Sequence, residues 1–443
     1  MGKYFTLFDF GDKESINSYI VSSNRQFLIN ELKNLLSTSN ITLVLSGINR
    51  LHSTLLCEEG FSYVQQSQRY VPMTTDFIKL LDNTPANVAK DGTRLVLQSL
   101  SLYNEMTALK SLDTKGRPEI NDFVHGIPYE DGRSVLPLAI STNIVITMTA
   151  DRLIDLVSLF IRYPLIFKSL SEEFRTLVPN ELYSKIYQAA TYVIQRDCQD
   201  SDPYYKHKMK DLNANNNVIL LDSSNYAALA ALASQNTESP EKKYASWGVN
   251  ADTNSKKLVA NVVGYSHTGI LEHSRNTFAM QCSLAAYHQV IRHRLQNIRR
   301  EPLNDITSDK VREFVIPDTI KNNERFNTKV TNLISLYKAF YNKYRKTVSY
   351  EFLMQFMLNS TSIKFVVSSN IRNDNIIFRD RLCYTAQNEI RELYLKKFTI
   401  LYNIYPNLVK YGLPPCVTDG KCKEGKFTCG RISEVLEEYK KFV

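Results

Sequence analysis

Apolar runs of strand length recur along the chain, and helical periods follow several of them. Ile41-Thr-Leu-Val-Leu-Ser predicts a strand that enters an apolar segment ending near Leu56. A polar loop follows, Ser62-Tyr-Val-Gln-Gln-Ser-Gln-Arg-Tyr. Farther on, Leu136-Pro-Leu through Met148 is apolar and leads to a helix from about Ala150 to Ile161. A second series begins with the short strand Val218-Ile-Leu-Leu-Asp. Asn276-Thr-Phe-Ala enters a helix through Ala285-Ala-Tyr-His-Gln-Val-Ile that ends in Arg292-His293-Arg294. Ile363-Lys-Phe-Val-Val-Ser-Ser leads to Asn370-Ile-Arg372 and a long helix to about Tyr402. The same order on both sides of a polar, Asn-rich break predicts duplication and fusion. The expected division is 1–202, a linker 203–217, and 218–443; Gln235 to Ser255 reads as a loop-like insertion.

The 443 residues have room for two such domains, and 43% hydrophobic with 22% charged residues is a globular balance. The formal charge of +9 favours an anionic ligand, but no Lys/Arg run is interleaved with aromatics, which argues against nucleic acid. Seven Cys, an odd number and mostly scattered, fit a reducing compartment, and the expectation is a cytoplasmic protein. The N-terminus lacks a secretory pattern; its Gly2-x-x-x-Thr6 fits a myristoylation motif that often arises by chance. Val135 to Ile161 is interrupted by Asp151, Arg152 and Asp155, so it reads as strand plus helix and no membrane partner is expected.

Arg292-His293-Arg294 suits a helix C-terminus, where cations meet the dipole, and equally suits an anion site. Gln289 lies one turn earlier on the same face. Ser67 and Arg69 in the polar loop read as an ordinary turn or as a hydroxyl and guanidinium that grip phosphate. Arg133 before an apolar strand, and Arg381 in a charged helix, are unremarkable alone. Cys416, Cys422 and Cys429 share a short loop without paired Cys-x-x-Cys spacing or an evident fourth ligand, and no metal is expected. Gly-rich dinucleotide and phosphate-loop motifs are absent.

At these residues the chain resembles the flavin-dependent thymidylate synthases, whose signature is Arg-His-Arg, two residues, Ser, four residues, Ser, one residue, Arg. Here the pattern is divided. Ser62, Ser67 and Arg69 match its second part, with Cys57, Glu58 and Glu59 at the Arg-His-Arg positions. Arg292, His293 and Arg294 match its first part, with Asn297, Pro302 and Asn304 at the Ser, Ser and Arg positions. Downstream, Arg133 before Val-Leu-Pro-Leu is kept in the first half and replaced by Met354 in the second. Asn370-Ile-Arg372, Arg381 and Ala386-Gln-Asn-Glu-Ile are kept in the second half; Thr149-Ala-Asp151 and Phe160 stand at the corresponding Asn-x-Arg and late-Arg places of the first.

The resemblance implies an α+β fold of two tandem domains, each a mixed sheet with a helical layer. It implies reductive methylation of dUMP with FAD, NADPH and 5,10-methylenetetrahydrofolate. Carried over, dUMP would meet Ser67, Arg69, Arg133, Gln289, Arg292 and Arg381, with Arg381 catalytic. FAD would meet Ser234, Glu272, His293, Arg294, Asn370 and Arg372, and His267 would lie on the folate side. Family members are tetramers, so a fused chain is expected to form a homodimer that mimics one. Glu58 and Glu59 in place of cations change a phosphate interaction by several kcal/mol at about 4 Å and an effective dielectric near 20, so only one kind of composite site is expected to bind. The alternatives are a C5 hydroxymethylase or dCMP-acting relative, and a non-catalytic nucleotide-binding or assembly protein.

Overall fold

The computed structural model describes residues 5–9, 29–110, 118–197, 207–308 and 312–443. The Gly2 motif and the break from Cys198 to Lys206 lie outside them. The first copy runs β1 (Phe5–Asp9), β2 (Asn40–Asn49), α1 (Arg50–Glu58), β3 (Ser62–Gln65), α2 (Ala86–Met106), β4 (Ser141–Thr149) and α3 (Leu153–Arg162). The second runs β5 (Val218–Asn225), α4 (Ala227–Gln235), β6 (Ser274–Ser283), α5 (Leu284–Val290), β7 (Asn297–Arg300), α6 (Glu324–Tyr344), β8 (Ser362–Asn370), α7 (Ile371–Arg381) and α8 (Asn388–Ile404). Among the described residues the strands form two four-stranded antiparallel sheets, ordered β1-β2-β4-β3 and β5-β6-β8-β7. The identical order is the expected duplication in three dimensions, but the sheets are antiparallel and not mixed as expected.

Alternation makes the first sheet one-sided. Ile41, Leu43 and Leu45 of β2 and Ile144, Ile146 and Met148 of β4 are buried, while Asn143, Val145 and Thr147 face outward. The strand-to-helix corners are set by capping: Asn49 Oδ1 accepts from Leu51 N at 2.7 Å, and Ser283 Oγ accepts from Ala286 N at 3.1 Å.

The compact units do not follow the division expected from sequence. One unit is Met1–Ser201 with Pro302–Thr361; the other is Asp202–Glu301 with Ser362–Val443. Residues 302–361, placed by order in the second copy, therefore pack with the first. Within that unit α2 and α6 share one core that includes Val96, Tyr103, Phe326, Tyr337 and Phe356. Leu138 N donates to Met357 O and Asn359 N to Leu136 O, both at 2.9 Å. Counted back from β4 and β8, Leu136 matches Met357 and Leu138 matches Asn359, so the contact is self-complementary about a pseudo-two-fold axis.

Three local expectations change. Residues 207–212 are not a bare linker: Met209 and Leu212 are buried against Ala279 and Val366, and Lys364 Nζ donates to Leu212 O at 2.9 Å. Gln235 to Ser255 is largely helical, with Pro240–Ser246 capped by Ser239 and Ala251–Gly264 following. The long helix expected after Arg372 is two helices, α7 and α8, divided between Leu382 and Gln387.

Candidate active site

In the first unit, β3 delivers the polar loop. Arg69 N donates to Ser67 Oγ at 3.1 Å, closing a turn at the strand's end. The Arg69 side chain ion-pairs with Glu130 at 2.7 Å. Arg133 is buried in a short 3-10 turn, not yet in the strand, and its Nε donates to Glu130 O at 3.2 Å. Glu130 thus draws both guanidiniums together. Asn359 braces the adjoining backbone and Gln68, with its Nδ2 donating to Gln68 Oε1 at 3.2 Å and Arg133 O at 3.0 Å. Ser67, Arg69 and Arg133 form one cluster. Glu130 and Asn359 were missed by sequence reasoning, because neither belongs to the divided motif.

In the second unit, Arg292, His293 and Arg294 follow directly on α5. Gln289 is buried, its Nε2 donates to Gln387 Oε1, and Arg381 Nη2 donates to Gln289 O at 3.1 Å. Glu389 accepts from Ser283 N at 2.6 Å and so clamps the start of α5. Gln387 and Glu389 were visible in the Ala-Gln-Asn-Glu-Ile run, but they had been given no role. Burial, with Arg381 and Arg292 nearby, pulls His293 down to about 3, so its imidazole is neutral near pH 7. His293 Nε2 and Gln289 Oε1 are buried polar atoms without a hydrogen-bond partner.

Asn370 caps α7, its Oδ1 accepting from Asn373 N at 2.9 Å, and Arg372 ion-pairs with Glu272. The segment Thr268–His273, carrying Glu272, packs against both α4 and α7. Ser234 lies at the end of α4 and donates to Ala231 O at 2.9 Å, and His267 is exposed before the segment. The hydrogen bonds and ion pairs link Gln289 with Arg381 and Arg372 with Glu272; they do not join Ser234 or His267 to either pair. Among the described residues no group of three or more His, Cys, Asp or Glu side chains is placed to hold a metal ion.

A family model described as thymidylate synthase complementing protein matches residues 16–164 and 219–407. The chain belongs to this family. Proteins similar to it include flavin-dependent thymidylate synthases of Clostridium tetani, 27% identical over 41% of this chain and 80% of the relative, and Pyrococcus abyssi, 31% identical over 46% and 85%. That of Pyrococcus furiosus is 31% identical over 39% and 75%. Each relative spans less than half of this chain, as a tandem family member requires.

The positions at which this family member departs from the signature are filled in ways that do not suit an anion. Thr54, at the place of Gln289, is buried in α1, its hydroxyl donating to Arg50 O at 2.9 Å. Phe160, at the place of Arg381, packs against Phe167 and Phe174 with ring centroids 5.2 and 5.8 Å away. Glu351 matches Glu130 when counted back from the strands, but Met354 stands where its arginine would be. Its carboxylate instead accepts from Leu165 N and Ile166 N at 3.0 and 3.2 Å. Glu59, in the place of Arg294, is pushed up to about 7 by burial, against the pull of Arg162 at 3.6 Å.

The copy that keeps Asn370 and Arg372 also keeps a buried polar network beneath them. Lys397 and Asp374 pair at 2.7 Å with both side chains fully buried. Asn276 Nδ2 donates to Asp374 Oδ2 at 2.7 Å, and Lys397 Nζ donates to Ser369 Oγ at 3.0 Å. By strand register and helix start, Asn276, Ser369 and Asp374 correspond to Ile41, Met148 and Leu153, all buried and apolar.

Two predictions follow from these replacements. The folded value of Glu59 lies above its unfolded 4.5, so the folded state holds more protons and stability falls as pH rises from 4.5 through 7. Glu59→Gln should therefore be more stable than wild type by about 1–2 kcal/mol at pH 8 and equal to it below pH 4.5, read from urea melts. An equal gain at both pH values would refute the raised carboxyl. Separately, Asp374→Leu strands the Lys397 ammonium and should cost about 3–5 kcal/mol, whereas N276I/S369M/D374L/K397M should recover most of that loss. A single variant as stable as wild type would refute the coupling.

Proposed function

We propose that the chain is a flavin-dependent thymidylate synthase that converts dUMP to dTMP with 5,10-methylenetetrahydrofolate and NADPH. The observation that carries this reading is complementary retention. One guanidinium cluster, Ser67, Arg69 and Arg133, is intact in the first copy, and the other, Gln289, Arg292 and Arg381, is intact in the second. The matching positions of the opposite copy, Pro302, Asn304 and Met354 and Thr54, Cys57 and Phe160, hold no cation. One dUMP engages both clusters, contributed by the two copies of one chain or of two. Paired hydrogen bonds from arginine suit the phosphate, and Arg381 stabilises negative charge developing on the uracil ring.

The second copy's residues fit a flavin. The neutral His293 offers an unpartnered buried nitrogen. Arg294, Arg372 and the capped start of α7 supply positive charge for a pyrophosphate. Asn370, Glu272 and Ser234 complete the polar set, and His267 serves the folate side. The bound flavin supplies hydride, with NADPH as the external reductant. By analogy with its family the chain forms a homodimer.

FAD counted by absorbance should give one flavin per chain, and two per chain would sink the single-site reading. Arg381→Ala should lower kcat about 100-fold or more while flavin content stays at the wild-type level. Parallel loss of both would make Arg381 a structural residue only.

A further inference from the structure

The faces that α2 and α6 turn toward one another have diverged in opposite directions. Both helices are 21 residues long, so positions match from their first residues. Asp91 then matches Lys329, and Glu105 matches Lys343. Lys343 Nζ donates to Asp91 Oδ2 at 2.7 Å, and Lys329 Nζ to Glu105 Oε2 at 2.7 Å. Arg325 also ion-pairs with Glu105. These are the two symmetry-related halves of one contact, and all the acid lies on the first copy and all the base on the second.

Size is divided the same way. A Cβ on Gly92 would lie 2.2 Å from the Phe356 ring. The reciprocal positions are Val330 and Val135, buried in the same core. Ser99 meets its own counterpart, Tyr337, at 2.8 Å with both side chains buried, which places this pair on the pseudo-axis.

We infer that this face is built to pair unlike copies and to reject like ones. Two first copies in the same contact would set Asp91 against Glu105 twice, Gly92 against Val135, and Ser99 against Ser99. The result is repulsion and voids. Two second copies would set Lys329 against Lys343, Val330 against Phe356, and Tyr337 against Tyr337. The result is repulsion and overpacking. An isolated exposed ion pair adds little stability, but a like-charge pair and a steric misfit in the same interface both discriminate between partners. The fused chain is thereby kept from assembling through copies of one kind. The inference does not depend on which ligand the protein binds.

The test uses the full chain and thermal melts at low and high salt. Gly92→Val should lower Tm by about 5 °C or more, and Phe356→Val added to it should recover most of that, because the contact then matches its Val330–Val135 reciprocal. D91K/E105K, basic on both helices, should lose about 3–6 °C at low salt and less at 1 M salt. D91K/E105K/R325E/K329E/K343E should melt near wild type. R325E/K329E/K343E, acidic on both helices, should likewise melt low, and less so at 1 M salt. The inference is overturned if Gly92→Val melts as wild type or if the full charge exchange fails to recover Tm.

Discussion

The two backbone hydrogen bonds that tie residues 136–138 to residues 357–359 fix the geometry on which the first unit depends. They join matched segments of the two copies across a pseudo-axis, so whatever one copy places there, the other must complement. The α2–α6 core is the direct consequence. Its residues come from stretches about two hundred positions apart, and neither stretch can bury its apolar face alone. The same contact brings Asn359 of the second copy under Gln68 and Arg133 of the first, so the support of the Ser67–Arg69 loop is itself shared between copies.

Duplication under that constraint explains the pattern of loss. In a symmetric assembly every binding residue is needed; after duplication, residues at one kind of position are released while the other kind is held. Some released positions, Asn297 and Asn304, are exposed polar residues, whereas Phe160 joined the core with Phe167 and Phe174, and the retained Glu351 found backbone partners. The beds beneath the two copies diverged as well. Ile41, Met148 and Leu153 show that this fold packs well with an apolar bed, and replacing a buried ion pair by apolar residues is commonly neutral or stabilising. Retention of Lys397–Asp374 under Asn370 and Arg372 is therefore better explained by positioning than by stability.

Within each unit the cations are held by acceptors that the reaction does not consume. Glu130 gathers Arg69 and Arg133, and the Gln289 carbonyl holds Arg381 while Gln387 fixes the Gln289 amide. Like charges near one another repel, and these acceptors oppose that repulsion. His293 answers the same field by remaining neutral.

The sequence alone determined the family, the duplication, and which member of each residue pair survived, because those facts reside in local motifs: Ser-Gln-Arg-Tyr, Arg-His-Arg, Asn-Ile-Arg. Strand and helix order followed from apolar periodicity, which is also local. Tertiary structure alone decided that residues 302–361 pack with the first copy, since chain order carries no information about which of two similar copies a helix packs against. It decided that Met209 and Leu212 are core, since two apolar residues in a polar stretch have no period to betray them. It also decided the roles of Glu130, Asn359, Gln387 and Glu389. Each acts by holding a residue far away in sequence, and only the folded chain brings the two together.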